Sequence, residues 1–325
     1  MAYTTIDDPS AHFQTKLWTG NDTSQSITND GNSNLKPDWI WAKKRSANDA
    51  HNLVDTSRGL TNYIFSNVNN GDTTDSSKVQ SMDANGFSVG ASNSWNDNNV
   101  TYVAWQWKAN GGTTTTNDAS STSVGTIDSV YQANTTAGFS IVTYTGTGSN
   151  GSVAHGLGAK PNVILLKDRA GFSWVVYHDK VASDPATDYL EFNGTIAATD
   201  YAAHFNDTEP TSTVFSLGTD GAVNGSSRNV IAYCFAEKKG YSKFGSYTGT
   251  NDADGAFVYT GFKPAWLMVK RTADATRAWV IHDNTQDPDN PTANRLDANT
   301  NEGNQSSGHF DFLSNGFKCR STEGA

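Results

Sequence analysis

Cysteine is almost missing from this chain: Cys234 and Cys319 are the only two among 325 residues. That excludes a disulfide framework and a thiolate zinc site, and leaves stability to packing. Charge is equally thin, with Asp, Glu, Lys and Arg making up 17% of the residues, and the balance is acidic at −10. With no stripe of lysine and arginine to offset it, such a surface repels phosphate backbones and anionic lipid, so nucleic acid is not an expected partner. No apolar run approaches the roughly 18 residues of a membrane span. The opening "MAYTTIDDPS" has neither the basic nor the apolar region of a secretory signal, so synthesis in a cytosol is expected and membrane insertion is not. A nucleophile elbow, a Walker loop, an HExxH helix and paired CxxC motifs are also lacking. Neither an enzyme nor a cofactor or metal is expected.

What the chain does have is aromatic bulk, with Trp 9, Tyr 12 and Phe 15, set in Asn, Asp, Thr, Ser and Gly. That composition belongs to many short strands joined by tight turns. The aromatics recur in order. "KPDWIWAKKR" from Lys36 returns as "KPNVILLKDR" from Lys160 and "KPAWLMVKRT" from Lys263. Before each stands an aromatic strand ending in Thr-Gly, which places Trp18, Tyr144 and Tyr247 in one equivalent position. After each comes a strand centred on Phe87, Phe215 or Phe317. A closing strand follows in the first two copies, where Val103-Ala104-Trp105-Gln106-Trp107 lines up with Ile231-Ala232-Tyr233-Cys234-Phe235. The third copy has no closing strand before Ala325, which leaves an open edge to be filled by further chain or by a partner.

These recurrences predict an all-β chain of tandem β-sandwich domains, jelly-roll-like or concanavalin-like, with three related repeats stacked end to end and the last one incomplete. The expected boundaries are 1–112, 139–239 and 240–325, with 113–138 a Thr/Ser/Asn-rich linker holding one short strand or helical turn. Alternation in the Lys-Pro strands puts apolar side chains on both faces, the pattern of a central strand covered on two sides. Their terminal lysines, Lys43, Lys167 and Lys270, are expected to run their stems over the sheet and end in water.

Three features invite a chemical reading. "WVVYHD" at 174–179 and "WVIHD" at 279–283 carry His-Asp neighbours, but on aligning the tryptophans His178 and His282 fall on opposite faces, as acid–base partners would not. "NDADG" at 251–255 lacks the ligand spacing of a calcium loop and reads as a solvated turn. "SNSWNDNN" at 92–99 sets Trp95 among amides, the chemistry that stacks and hydrogen-bonds a sugar. Trp95, Asn96 and Asp97 are therefore the candidate ligand-binding residues.

Taken together, "AYTTIDDPSAHFQTKLWTGN", "KPDWIWAKKR", "AHNLVDTSRG", "YVAWQWKANGG", "GFSIVTYTGTGSNGSVAHGLGAKP" and "FVYTGFKPAWLMVKRT" resemble a family of virion-associated proteins of tailed bacteriophages. The resemblance implies a virion structural protein, a tail or fibre component that attaches the particle to its host or anchors a distal receptor-binding part. It also implies a homo-oligomer, in all expectation a trimer, made in the host cytoplasm and in contact with other tail or capsid proteins and with host surface glycans. The alternatives are a capsid-surface decoration protein and a carbohydrate-binding adhesin module.

Overall fold

The structure, a computed structural model, describes residues 4–322. Nearly all of its regular structure is β, as expected. The first segment carries β1 (Phe13–Thr19), β2 (Gln25–Thr28), β3 (Trp39–Lys44), β4 (Asn52–Asp55), β5 (Asn62–Tyr63), β6 (Thr73–Thr74), β7 (Val79–Asp83), β8 (Gly86–Val89), the one-turn helix α1 (Asn93–Asn96) and β9 (Thr101–Trp107). Next come β10 (Thr115–Asn117), α2 (Ala119–Thr122) and β11 (Ser129–Asn134). The second segment holds β12 (Phe139–Thr145), β13 (Gly151–Ala154), β14 (Val163–Asp168), β15 (Val175–His178), β16 (Asp188–Glu191), β17 (Thr199–Asp200), α3 (Ala202–Phe205), β18 (Val214–Leu217), α4 (Gly221–Asn224) and β19 (Asn229–Phe235). The third holds β20 (Phe257–Tyr259), β21 (Trp266–Val269), β22 (Val280–Asp283), β23 (Thr292–Asp297), β24 (Gln305–Leu313) and β25 (Gly316–Cys319).

The first segment is sandwich-like. Its main sheet runs in the order β1-β9-β3-β4 and faces a second sheet, β2-β8-β7. Between them lie Trp18, Ile40, Ala42, Phe87, Val89, Trp95 and Tyr102. In the second segment β12-β19-β14-β15 repeats the order of the first main sheet within a longer one, with β13-β18 as the smaller sheet. Its local core holds Tyr144, Ile164, Leu166, Phe215 and Val230. The third segment is one sheet, β20-β25-β24-β23-β22-β21, wrapped around a small core of Phe310, Phe312 and Phe317.

The second face of the main strands explains why they are apolar on both sides. Trp39, Trp41 and Trp105 of the first segment meet Val163, Leu165, Trp174 and Tyr233 of the second and Trp279, Ile281 and Leu296 of the third in one central core. Every residue of β3 and of β14 is buried. An aromatic side chain buries roughly 150–250 Å², so each tryptophan here contributes up to about 4–6 kcal/mol at 25 cal/mol per Å². The three segments are therefore not stacked end to end: they share a core.

Residues 113–138 are not a linker either. β11 pairs with β12 along six residues and β10 pairs with β11, so this stretch adds two strands to the second segment's sheet. Ile127 enters that segment's core. The buried Gln132 donates to Thr56 Oγ1 at 2.9 Å and Ser57 Oγ at 2.6 Å in the first segment. The physical reason is that β12 would otherwise present a row of unpaired backbone groups, which β11 covers.

Candidate functional site

The expected sugar-binding residues lie elsewhere than on an accessible face. Trp95 is 0% exposed, packed in α1 against Trp18 at 6.4 Å and Phe87 at 6.1 Å between ring centroids. Its backbone carbonyl accepts from Trp18 Nε1 at 3.1 Å. Val223 holds the same place in α4, its carbonyl accepting from Tyr144 Oη at 2.6 Å. A position filled by Trp in one segment and Val in the other is a core position, and no sugar reaches this ring. Asn96 is also buried: its Oδ1 accepts from the Asn21 amide at 3.0 Å and its Nδ2 donates to Gly90 O at 2.9 Å. Asn224 repeats this, accepting from the Thr147 amide and donating to Gly218 O. Both amides hold backbone, leaving Asp97, paired with Lys44 Nζ at 3.2 Å, as the one partly exposed member.

The recurring lysines are spent inside the protein as well. Lys43 Nζ donates to Asn301 O at 3.2 Å, Lys167 Nζ to Asn69 O at 2.9 Å and Lys270 Nζ to Thr195 O at 3.2 Å. The first segment thus reaches the third, the second reaches the first and the third reaches the second, in a closed cycle. A second cycle runs beside it, through residues that align with one another. His51 Nε2 meets Asp297 O at 3.0 Å, Trp174 Nε1 donates to Phe65 O at 2.8 Å and Trp279 Nε1 donates to Glu191 O at 2.8 Å. In each case the acceptor of the first cycle lies four residues after that of the second. Burial pushes Lys43, Lys167 and Lys270 each down to about 8. Their heads do not end in water, because the unpaired carbonyls after β16, β23 and the Phe65 stretch need donors that no strand supplies.

A third set of bonds, partly ionic and partly across segments, centres on carboxylates. Arg58 Nε pairs with Asp55 at 2.6 Å and Nη1 with Asp72 at 3.1 Å, while Arg169 Nε of the second segment reaches Asp72 at 2.6 Å. Tyr233 Oη donates to Asp55 Oδ2 at 2.8 Å, and Trp105 Nε1 donates to Asp283 Oδ2 at 3.0 Å. The histidines are similarly structural. His51 Nδ1 accepts from Trp41 Nε1 at 2.8 Å, and His282 Nδ1 meets Thr292 Oγ1 at 3.0 Å. Burial lowers His282 to about 3 and His155 to about 4, so both rings are neutral. The acidic turn at 251–255 gives Asp254 to Lys318 at 2.5 Å and Arg320 at 3.1 Å. Residues 146–151, "GTGSNG", match the spacing of a dinucleotide loop, yet they join β12 to β13 and open no helix. Among the described residues no group of three or more His, Cys, Asp and Glu is placed to hold a metal ion.

A large cleft of about 1180 Å³ runs along β21, lined by Trp107, Val163, His178, Phe235, Trp266 and Met268 among others. Aromatic and aliphatic side chains from all three segments form its walls. Sequence reading missed it because no single motif contains it: it lies where the third segment meets the other two.

Comparison with known proteins gives one match. A family described as "Domain of unknown function (DUF7483)" covers residues 8–325, and the chain belongs to that family. No curated protein and no solved structure matches it.

Proposed function

We propose, starting from a DUF7483 domain, that the protein is a structural component of a tailed-phage particle, part of the tail or of a fibre, with no catalytic role. The observation that supports a structural part is where the recurring polar groups end. Lys43, Lys167, Lys270, His51, Trp174 and Trp279 all terminate on backbone carbonyls of another segment. Residue types that could serve chemistry are committed to holding three segments around one core, which suits a part that must keep its shape. The particle assignment rests on the phage resemblance of the sequence. Self-association as a trimer and contact with other tail proteins belong to the same proposal.

Protein mass spectrometry on purified particles, with imaging of their copy number, tests it. A tail or fibre component is expected at roughly six to eighteen copies per particle, following the symmetry of tail assemblies. Hundreds of copies would replace the reading with capsid decoration, and absence from particles would overturn it.

A further inference from the structure

We infer that the free edge of β21 accepts an added antiparallel β-strand from a partner polypeptide, built on the pattern of β9 and β19. The inference goes beyond the proposed function and does not depend on where the protein acts. In the first segment β9 lies between β1 and β3, and in the second β19 lies between β12 and β14. In the third, β21 ends its sheet and, among the described residues, pairs only with β22. Each residue of β3 and β14 is buried, whereas each residue of β21 is half-buried. The amides of Asp38 and Asn162 donate to Trp107 O and Phe235 O of their closing strands. Ala265, the counterpart of both, accepts from Asn284 through its carbonyl, and its amide has no backbone acceptor among the described residues.

A glycine marks the same open place. A Cβ on Gly20 would lie 2.1 Å from Asp97 O, and one on Gly146 would lie 2.4 Å from Gly225 O, both in the chain that leads into the closing strand. Gly249, which ends the third Thr-Gly stretch, has nothing within 4 Å of that position. The close approach that needs a missing side chain in the first two segments has no counterpart in the third.

The cross-segment contacts say what the strand carries. Asp55 accepts from Tyr233 and Asp283 from Trp105, residues at one equivalent position of β19 and β9. The third member of this set is His178, opposite Val163 as Asp55 is opposite Trp39 and Asp283 opposite Trp266. Val163 and His178 both line the cleft, together with Trp266, whose buried Nε1 has no hydrogen-bond partner among the described residues. Opposite Lys270, Val269, Met268, Leu267 and Trp266 the strand therefore presents a branched aliphatic residue, Ala, Tyr or Trp, a small or amide residue, and Phe or Trp. Tyr is favoured at the third place. His178 Nδ1 accepts from the Lys180 amide at 3.0 Å, which leaves Nε2–H to donate to a phenol oxygen. Lys180, Lys263, Arg271 and Arg277 also line the cleft, Lys180 paired with Asp179 and Arg271 with Asp274. Main-chain pairing supplies affinity, and the ring pockets supply specificity.

Hydrogen–deuterium exchange on the full-length protein tests this with a synthetic peptide of residues 229–237, Cys234 replaced by Ser. At saturation the amides of residues 265–269 are expected to slow by roughly tenfold or more. Replacing the tyrosine of the peptide by Ala weakens its binding, and N-methylating the peptide amides that face β21 abolishes the protection. His178→Ala weakens the tyrosine peptide and leaves a phenylalanine version unchanged, a difference that misfolding would not produce. Equal protection by a scrambled peptide, or none at 265–269, overturns the proposal. Protection that grows with protein concentration in the absence of peptide also overturns it, by making a second copy the occupant.

Discussion

Replacing Trp174 by Phe tests the closed cycle of contacts most directly, because it removes one donor and keeps an aromatic ring in place. Trp174 is 0% exposed and its Nε1 reaches Phe65 O at 2.8 Å, across 109 residues of chain. The indole donor is fully buried, and the part-buried carbonyl left without it costs about 1–3 kcal/mol. The smaller ring adds roughly 1 kcal/mol at about 24 cal/mol per Å³ of space left unfilled. The sum is about 2–4 kcal/mol. Trp39→Phe is the control. Trp39 is 1% exposed in the same core, stacked on Tyr233 at 4.3 Å, but its Nε1 has no partner among the described residues. It forfeits only the filling term, about 1 kcal/mol. Urea denaturation at unchanged slope gives both values. If Trp39→Phe costs as much as Trp174→Phe, the segments are not held by these bonds and the reasoning fails.

Trp95→Ala is expected to lower stability by about 3–5 kcal/mol, as for any large core aromatic, with no change in binding on a glycan array; a specific loss of glycan binding at unchanged stability would restore the sugar reading. Asp55→Asn leaves the guanidinium of Arg58 short of its closest counter-charge in a fully buried setting, at a cost of about 3–5 kcal/mol read by urea denaturation. Acid weakens the fold: burial holds His51 well below the usual histidine range, His155 and His204 at about 4 and His282 at about 3. The unfolded chain therefore binds these protons first, and stability present above pH 6.5 is lost as pH falls towards 4. Burial also lowers His12 and His178, and Asp283 and Asp297, raised by burial, oppose this with two groups against six. Melting temperatures between pH 7 and 4 check the sign, and His155→Asn together with His282→Gln flattens the slope.

Much of the architecture was legible in the residues. Alternation with apolar groups on both faces marked the Lys-Pro stretches as central strands, and β3 and β14 are such strands, whereas β21, on the third stretch, ends its sheet and is half-buried. The alignment of Trp105 with Tyr233 placed both on equivalent closing strands. The sugar site was misread because amides around an indole look the same whether they face a ligand or hold backbone. A signal was present, since "SWN" at 94–96 aligns with "AVN" at 222–224, and a valine stacks on no sugar. The stretch 113–138 was misread because a polar strand that covers an edge needs few apolar residues of its own.

The succession of strands along the chain and their aromatic filling follow from the residues alone, because side-chain period and internal likeness are local properties of a chain. Which faces meet was decided only in three dimensions. Alternation tells that Trp39 and Ile40 point opposite ways, and cannot tell that one side meets Tyr233 of another segment and the other meets Phe87 of its own. The lysine and histidine contacts are of the same kind: a cation seeks whatever carbonyl lacks a donor, and which carbonyls lack one is known only when every sheet is in place.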